Sequence, residues 1–196
     1  MIKIAISGQA KTGKNTLAEM LINHIVNDDE KYQIVAVADP IKSIIQSMFP
    51  DADANCLYGV SELRSSVIPG NFKDNDNNPL TYRRALIDIG SLGRKYNSDL
   101  WLNTLVKNAK KATDLKVYIC SDVRFVNELN YLKDHGFFMV RIKRNGLPII
   151  DDISETAQLE IQDNFFNKVV ENSGNLDDLN KISKNIADML TTITHQ

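Results

Sequence analysis

The chain has 196 residues, of which 43% are hydrophobic and 24% are charged, and its formal net charge is -2. The apolar fraction is sufficient for one ordinary core, which excludes wholesale disorder, and the balanced charge argues against a nucleic-acid or membrane-surface binder. Neither a membrane-spanning run nor a signal-peptide layout occurs, and two cysteines are too few for a disulfide framework. We therefore expect a soluble, cytoplasmic protein that binds neither nucleic acid nor membranes.

The first half of the chain alternates between strand and helix signals. A β-branched run at 2–6 predicts a strand, and apolar residues at helical spacing predict a helix from 14 to about 26. A second strand is predicted at 34–38 and a second helix at 41–48. Residues 50–80 are polar, weakly periodic and rich in Asn and Asp, which is typical of an inserted segment, and 70–79 is predicted to be a long loop.

The second half continues the alternation. Its predicted elements are helices over 82–96 and about 100–111, a strand at 117–120, a helix at 127–134, strands at 137–142 and 169–170, and a last helix over about 176–190. Strands that alternate with helices predict a three-layer α/β/α fold around a five-stranded, mainly parallel sheet.

A glycine-punctuated loop joins the first strand to the first helix. Its sequence is Gly8-Gln-Ala-Lys-Thr-Gly13-Lys14-Asn15-Thr16. Gly8 and Gly13 give the backbone the freedom to wrap a phosphate, and Lys14 brings a cation to the β- and γ-phosphates. For Lys11, a phosphate contact and a solvated position are both open. The pattern predicts a P-loop fold that binds a nucleotide such as ATP.

The loop departs from the usual pattern at Asn15, which stands where Ser or Thr commonly ligates Mg²⁺. Asn15 can still orient a metal-bound water, and the Thr16 hydroxyl can reach the α-phosphate. Asp122 follows the third strand and is the second candidate for Mg²⁺, through water. We therefore predict a magnesium site with few direct protein ligands.

Other P-loop classes fit less well than a small kinase. A GTPase needs Asn-Lys-x-Asp, whereas the nearest string here, at 167–170, lacks the aspartate, and a motor protein is usually longer. A small kinase holds two phosphorylated groups and neutralises them with arginines. A kinase of the dephospho-coenzyme A kinase type remains open, as does a regulatory module that binds ATP without transferring phosphate.

The 82–96 helix presents two faces. At about 100° per residue, Arg83, Ile87, Gly90 and Arg94 share one stripe, which predicts an anion-binding face where the glycine admits a ligand. A solvated basic face is the alternative. The predicted core face consists of Ala85, Leu86, Ile89, Leu92, Gly93 and Tyr96.

Several strings together resemble the bacteriophage deoxynucleoside monophosphate kinases. They are Gly-x4-Gly-Lys-Asn-Thr at 8–16, Ala-Asp-Pro-Ile-Lys at 38–42, Leu-Tyr-Gly at 57–59, the run from Tyr82 to Arg94, Asp-Leu-Trp at 99–101, the run from Ser121 to Glu128, Ser154-Glu155, and Glu-Asn-Ser-Gly-Asn-Leu at 171–176. The resemblance covers nearly the whole chain. It implies a nucleotide-kinase fold, ATP as donor, Mg²⁺, and a deoxynucleoside 5′-monophosphate (dNMP) as acceptor.

The resemblance also implies site residues. Lys14, Asn15 and Thr16 match the family's ATP-phosphate residues, and family members commonly have Asp in place of Asn15. The matches to acceptor-site residues are Arg83, Arg84, Gly90, Ser91, Trp101, Asp122, Arg124 and Glu128. Asp122 could also meet the deoxyribose 3′-hydroxyl, Glu128 could orient Arg124 or read the base, and Trp101 could stack on the base.

Further roles follow from the chemistry of the side chains. Arg83, Arg94 and Arg124 are candidates for clamping the acceptor phosphate and the transferring phosphoryl group, with Lys42 and Arg64 as additional acceptor contacts. Arg144 is a candidate for covering the donor. We expect one P-loop kinase domain over 1–196, with an acceptor-binding insertion at 43–112 and a lid at 143–165. The accepted base stays open, and a homodimer is an expectation from the relatives.

Overall fold

The computed structural model describes residues 1–147, 156, 158–159 and 161–194. The chain divides into two compact units. One unit is discontinuous in sequence and consists of Met1–Ala36 and Leu105–Gln196. The other is the continuous segment Val37–Thr104. We call them the sheet unit and the inserted unit.

The sheet unit contains five parallel strands. They are β1 (Ile2–Ser7), β2 (Lys31–Val35), β3 (Leu115–Val123), β4 (Phe138–Lys143) and β5 (Lys168–Glu171). Their order in the sheet is β2-β3-β1-β4-β5, and each neighbouring pair is parallel. Because all strands run in the same direction, their carboxyl ends lie along one edge, where α/β folds place their ligands.

Seven α-helices occur in the described part of the chain. They are α1 (Lys14–Ile25), α2 (Asp39–Met48), α3 (Ala54–Tyr58), α4 (Tyr82–Tyr96), α5 (Leu100–Lys111), α6 (Val126–Asp134) and α7 (Leu176–Thr194). Short 3₁₀ helices occupy Ser61–Ser65 and Asp163–Phe165. None of the helices described is both long and apolar enough to cross a lipid bilayer.

Each unit has its own apolar core. In the sheet unit, α1 and α7 pack together, and Leu17, Leu21 and Ile186 of these helices are buried with Ile4 and Ile119 of the strands. In the inserted unit, a second cluster includes Ile45, Leu57, Ile68, Tyr82 and Trp101. The strands of a parallel sheet are covered on both faces, which explains why β1, β3 and β4 are nearly continuous apolar runs.

The predicted α/β fold with a five-stranded parallel sheet is confirmed. The second strand lies earlier than predicted, at 31–35 instead of 34–38, because backbone pairing of residues 31–35 with β3 defines it rather than its apolar content. Its first three residues are exposed, as befits an edge strand. The predicted loop at 70–79 contains no helix, and the earlier part of the polar 50–80 segment contains α3 and a 3₁₀ helix. Asp53 caps α3 by accepting the amide of Asn55 at 2.8 Å.

Candidate active site

The phosphate loop joins the central strand β1 to α1 and can accommodate only glycine at two positions. A Cβ on Gly8 would lie 2.3 Å from the carbonyl oxygen of Ile142, and one on Gly13 would lie 2.7 Å from Nδ2 of Asn172. Gly13 has a φ of 101° and is the N-cap of α1. Since a glycine N-cap brings no side chain, the first N–H groups of α1 are left for an anion to occupy.

The Lys14 side chain reaches back across this loop. Its Nζ donates to the carbonyl oxygens of Gly8 at 2.9 Å and Gln9 at 2.6 Å. The half-buried ammonium is thereby held against the turn that would surround the phosphates. A nucleotide phosphate would find a cation already beside the loop amides, which lowers the cost of organising the site.

Two further bonds fix the loop from behind. The Thr12 hydroxyl donates to the carbonyl of Gln9 at 2.8 Å. Asn172, which is 8% exposed and follows β5, donates from Nδ2 to the carbonyl of Thr12 at 2.8 Å. Asn172 was not predicted as a site residue from the sequence. The same signal was present, because Asn172 is a polar residue directly after a strand, just as Asp122 follows the predicted third strand.

The end of β3 carries three predicted site residues. Asp122 and Arg124 are half-buried, and Sγ of Cys120 contacts Oδ1 of Asp122 at 3.9 Å. Glu128 stands at the third position of α6 and accepts the amides of Arg124 at 2.9 Å and Phe125 at 3.2 Å. It therefore caps the helix and fixes the backbone of Arg124. Its predicted roles, orienting Arg124 or reading the base, stay predictions.

The electrostatics of Glu128 follow from its position. Burial raises the pKa of its carboxyl group above the ordinary value of 4.5, and the nearby Asp122 charge acts in the same direction. The two backbone amides and the Arg124 charge lower the pKa, but they compensate only part of the effect of burial.

A cavity of about 410 Å³ lies beside the phosphate loop, within the size range of small-molecule sites. Gly8 and Gln9 line it from the loop, and Arg144, Gln158 and Ile161 from the chain beyond β4. Arg144 is exposed, as a ligand contact requires. Arg141 also lines the cavity, but it is only 7% exposed and forms an ion pair with Asp163 at 2.9 Å.

Asp163 also forms an ion pair with Lys143, at 2.5 Å. The hydrogen bond from Lys143 and the charges of Lys143 and Arg141 hold the pKa of the Asp163 carboxyl below its ordinary value, against a smaller opposing effect of burial. The carboxylate therefore stays ionised and keeps the turn after Ile161 attached to β4.

In the inserted unit, the arginines of α4 have local partners. Arg83 donates to the Ser61 carbonyl at 3.2 Å, and Arg84 forms an ion pair with Asp88 at 2.9 Å. The guanidinium nitrogens of the exposed Arg94 lie 3.4 and 3.5 Å from where a Cβ on Gly90 would stand. Both Arg83 and Arg94 are exposed, so each can exchange its present contact for an anion.

The predicted faces of α4 need correction. Gly90 is buried beside Ile41 and the Arg94 guanidinium, so the predicted anion-binding stripe is not open at the glycine in this structure. Leu92 is 51% exposed and Tyr96 82% exposed, so neither belongs to the core. The Trp101 ring packs against this side of the helix, 2.2 Å from where a Cβ on Gly93 would stand, so a glycine at 93 makes room for the indole.

Trp101 itself is a core residue in this structure. It is 8% exposed, and its Nε1 donates to the Gly90 carbonyl at 3.1 Å. Its ring is therefore covered by protein and presents no open face for a base to stack on. Lys42 is also buried, and its ammonium binds Asp39 at 2.7 Å and lies 4.9 Å from the centre of the Tyr58 ring.

Two comparisons with known proteins bear on this site. The sequence profile of a family described as phosphomevalonate kinase matches residues 6–137, which is more than half of the chain. The chain belongs to the phosphomevalonate kinase family. A protein of Acanthamoeba polyphaga mimivirus named "Putative deoxynucleotide monophosphate kinase" is 25% identical over 178 residues, covering 83% of this chain and 83% of that protein. Both comparisons support a phosphotransferase.

The structure brings some predicted site residues of this phosphomevalonate kinase family member together. The carboxyl edge of the sheet unit gathers Gly8, Lys11, Gly13, Lys14, Asn15, Thr16, Asp122, Arg124, Glu128 and Arg144. The inserted unit contains Lys42, Arg64, Arg83, Arg84, Gly90, Ser91, Arg94 and Trp101. The roles of both groups stay predictions, as do the limits of the acceptor-binding insertion at 43–112.

The predicted lid at 143–165 is described only in part. Residues 148–155, 157 and 160, which include Ser154 and Glu155, lie outside the described residues. Gln158, which is 1% exposed, was not singled out from the sequence. Nothing in its local sequence marks it, because its partners lie far away along the chain.

The raised pKa of Glu128 gives this kinase family member a testable pH dependence. Because the folded-state pKa exceeds the unfolded value, the folded protein binds the extra proton, and stability is lost as pH rises from about 4.5 through the folded pKa. We expect Glu128→Gln to gain stability relative to wild type between pH 4 and pH 7. Urea unfolding at several pH values measures this difference.

The control is Glu19→Gln on α1, which removes an exposed carboxylate and corrects for the general effect of charge. The glutamine at 128 retains a carbonyl oxygen that can accept the same two amides, so the cap is preserved. If the wild type were more stable than Glu128→Gln, by a margin that grew with pH, the raised pKa of Glu128 would be contradicted.

Proposed function

We propose that this chain transfers the γ-phosphoryl group of ATP to a deoxynucleoside 5′-monophosphate, producing the diphosphate and ADP and thereby supplying precursors for DNA synthesis. The main support for ATP as the donor is the position of Lys14. Its ammonium binds two carbonyls of the phosphate loop, beside the start of α1, which has no side-chain cap. Such a loop binds the phosphates of a nucleotide, because its amides, helix dipole and lysine act on the same charge.

ATP and Mg²⁺ fit the residues that are present. Gly8 and Gly13 leave space that a Cβ at either position would fill. Close contact between the backbone and a phosphate requires this space. Among the described residues, no cluster of three or more His, Cys, Asp or Glu side chains could hold a metal. Mg²⁺ is commonly bound by phosphates, waters and one or two side chains, so Asn15 and Asp122, acting through water, would suffice.

The proposal that the acceptor carries a phosphate rests on arginines. Arg124 follows β3 at the carboxyl edge of the sheet, and its backbone is held by Glu128. Arg83 and Arg94 are exposed on α4 of the inserted unit. Each guanidinium can bind two phosphate oxygens, and charge neutralisation with alignment is most of what phosphoryl transfer needs. A regulatory module that only binds ATP has no use for this second set of cations.

Two acceptor classes have specific support. The mimivirus protein, which matches 83% of the chain, is named for deoxynucleotide monophosphates, and this favours a dNMP. The family profile over 6–137 is named for phosphomevalonate, and this favours a phosphorylated hydroxy acid. Both acceptors offer a phosphate to the arginines. The dNMP is preferred because its support covers 83% of the chain, whereas the family profile ends at residue 137.

A substrate panel tests the proposal. Purified protein with Mg-ATP is incubated with each of dTMP, dGMP, dCMP and dAMP, their ribonucleotide counterparts, 5-phosphomevalonate and dephospho-coenzyme A, and ADP release and product mass are measured. We expect at least one dNMP to give its diphosphate. If no dNMP is phosphorylated, the proposal fails, and turnover of 5-phosphomevalonate would establish the second candidate.

A further inference from the structure

Gln158 is the most completely buried amide among the described polar side chains that adjoin the phosphate loop, at 1% exposure. It belongs to the chain beyond β4 and also lines the cavity beside Gly8. Its carboxamide binds three of the described residues. The Ser7 hydroxyl donates to Oε1 at 3.0 Å, and Nε2 donates to the carbonyls of Val123, at 3.4 Å, and Arg124.

These partners mark the place where two central strands stop running in register. Ala5 of β1 stands opposite Cys120 of β3, but Ser7 stands opposite Val123, so β3 contains one extra residue in this interval. The interval includes Asp122. Such an irregularity bends the strand and redirects its side chains, and it needs support from outside the ladder. Gln158 binds the carbonyls of Val123 and Arg124, at the end of this irregular interval of β3.

The backbone of Gln158 is fixed as well. The buried guanidinium of Arg141 on β4 donates from Nη2 to the Gln158 carbonyl at 2.5 Å and from Nη1 to the carbonyl of Ile161. Nη1 also binds Asp163 at 2.9 Å. Arg141, which also lines the cavity, therefore uses its charge to anchor the chain around Gln158.

Only a carboxamide can complete this network. It offers one acceptor to Ser7 and donors to two carbonyls, whereas a carboxylate has only acceptors and a thioether has no donor. A glutamate at 158 would direct negative charge at the carbonyl oxygens of Val123 and Arg124. A methionine of similar length would offer neither carbonyl this donor, at the cost of the hydrogen bonds that Gln158 makes to them.

We propose that Gln158 is a positioning residue for phosphoryl transfer. It holds the end of β3 so that Asp122 and Arg124 meet the metal and the acceptor in the correct orientation. This inference rests on the proposed function, because it assumes that these two residues act on the reacting groups. Gln158 acts through the backbone of Arg124 and does not contact the substrate.

The test compares Gln158→Met with Gln162→Met. The second variant makes the same chemical change at an exposed glutamine four residues later. We expect Gln158→Met to lower kcat about 10- to 100-fold or raise the acceptor KM by a similar factor, as a small misplacement of reacting groups does. The KM for ATP should stay within about 2-fold, since Lys14 and its loop contacts are untouched. Gln162→Met should match the wild type.

Hydrogen exchange of the free protein provides a readout without substrate. Amides between 120 and 126 should exchange about 10-fold faster in Gln158→Met, while those of α1 and α7 keep their wild-type protection. Unchanged exchange at 120–126, or faster exchange throughout the sheet unit, would overturn the inference, as would unchanged kinetics. If no dNMP is a substrate but exchange rises locally, the proposed function fails while the structural role of Gln158 stands.

Discussion

Lys14→Ala is expected to reduce kcat for phosphoryl transfer by about 100- to 1,000-fold, the loss typical of removing one preorganised charge-stabilising group from an active site. In the structure the ammonium is fixed by the carbonyls of Gly8 and Gln9, so it needs little rearrangement to meet developing negative charge. Steady-state kinetics with Mg-ATP and the preferred acceptor measure the loss.

The matched control is Lys184→Ala, which removes the same charge from an exposed position on α7. Its kcat should equal that of the wild type. Circular dichroism should show that both variants are folded, because Lys14 is only half-buried. If folded Lys14→Ala retained kcat within about 3-fold of wild type, the loop would not be the donor site.

Gly8→Ala is expected to produce the largest loss of stability, about 3 kcal/mol in the free energy of unfolding. The new methyl carbon would stand 2.3 Å from the Ile142 carbonyl oxygen. This oxygen belongs to β4, whose pairing with β1 includes Ser7 opposite Arg141. The sheet therefore resists the movement needed to relieve the clash. Urea unfolding followed by circular dichroism measures the change.

Gly146→Ala separates the clash from backbone strain. Gly146 has a φ of 78°, but a Cβ there would have nothing within 4 Å. Its cost should be the conformational part alone, about 1 kcal/mol. Equal losses in the two variants would show that β4 yields to the new methyl group, contrary to our account of why position 8 requires glycine.

The sequence predicted the features that depend on neighbouring residues. The strand, the glycine loop and the helix that carries Lys14 follow one another within 25 residues, and each leaves a local pattern. The alternation of strands and helices predicted the parallel sheet for the same reason. The position of β2 was less predictable, because pairing with β3 extends it over exposed residues such as Tyr32.

Features that depend on distant contacts could not be predicted in this way. Helical periodicity divides α4 into two faces, but it does not reveal that Trp101 packs against Gly93 or that Leu92 is exposed. Gln158 is similar, since its partner Ser7 is 151 positions away in the chain. A buried amide whose partners are backbone carbonyls leaves no periodic pattern in the sequence.

The discontinuity of the sheet unit determines the order in which the chain can assemble during synthesis. In the described part of the chain, strand β1 pairs with β3 and β4, which begin at residues 115 and 138. It leaves the ribosome long before either partner exists. The inserted unit is continuous and contains its own apolar core, so it can become compact first. The amino-terminal strand that carries the phosphate loop is thus completed late, after the segment that follows it.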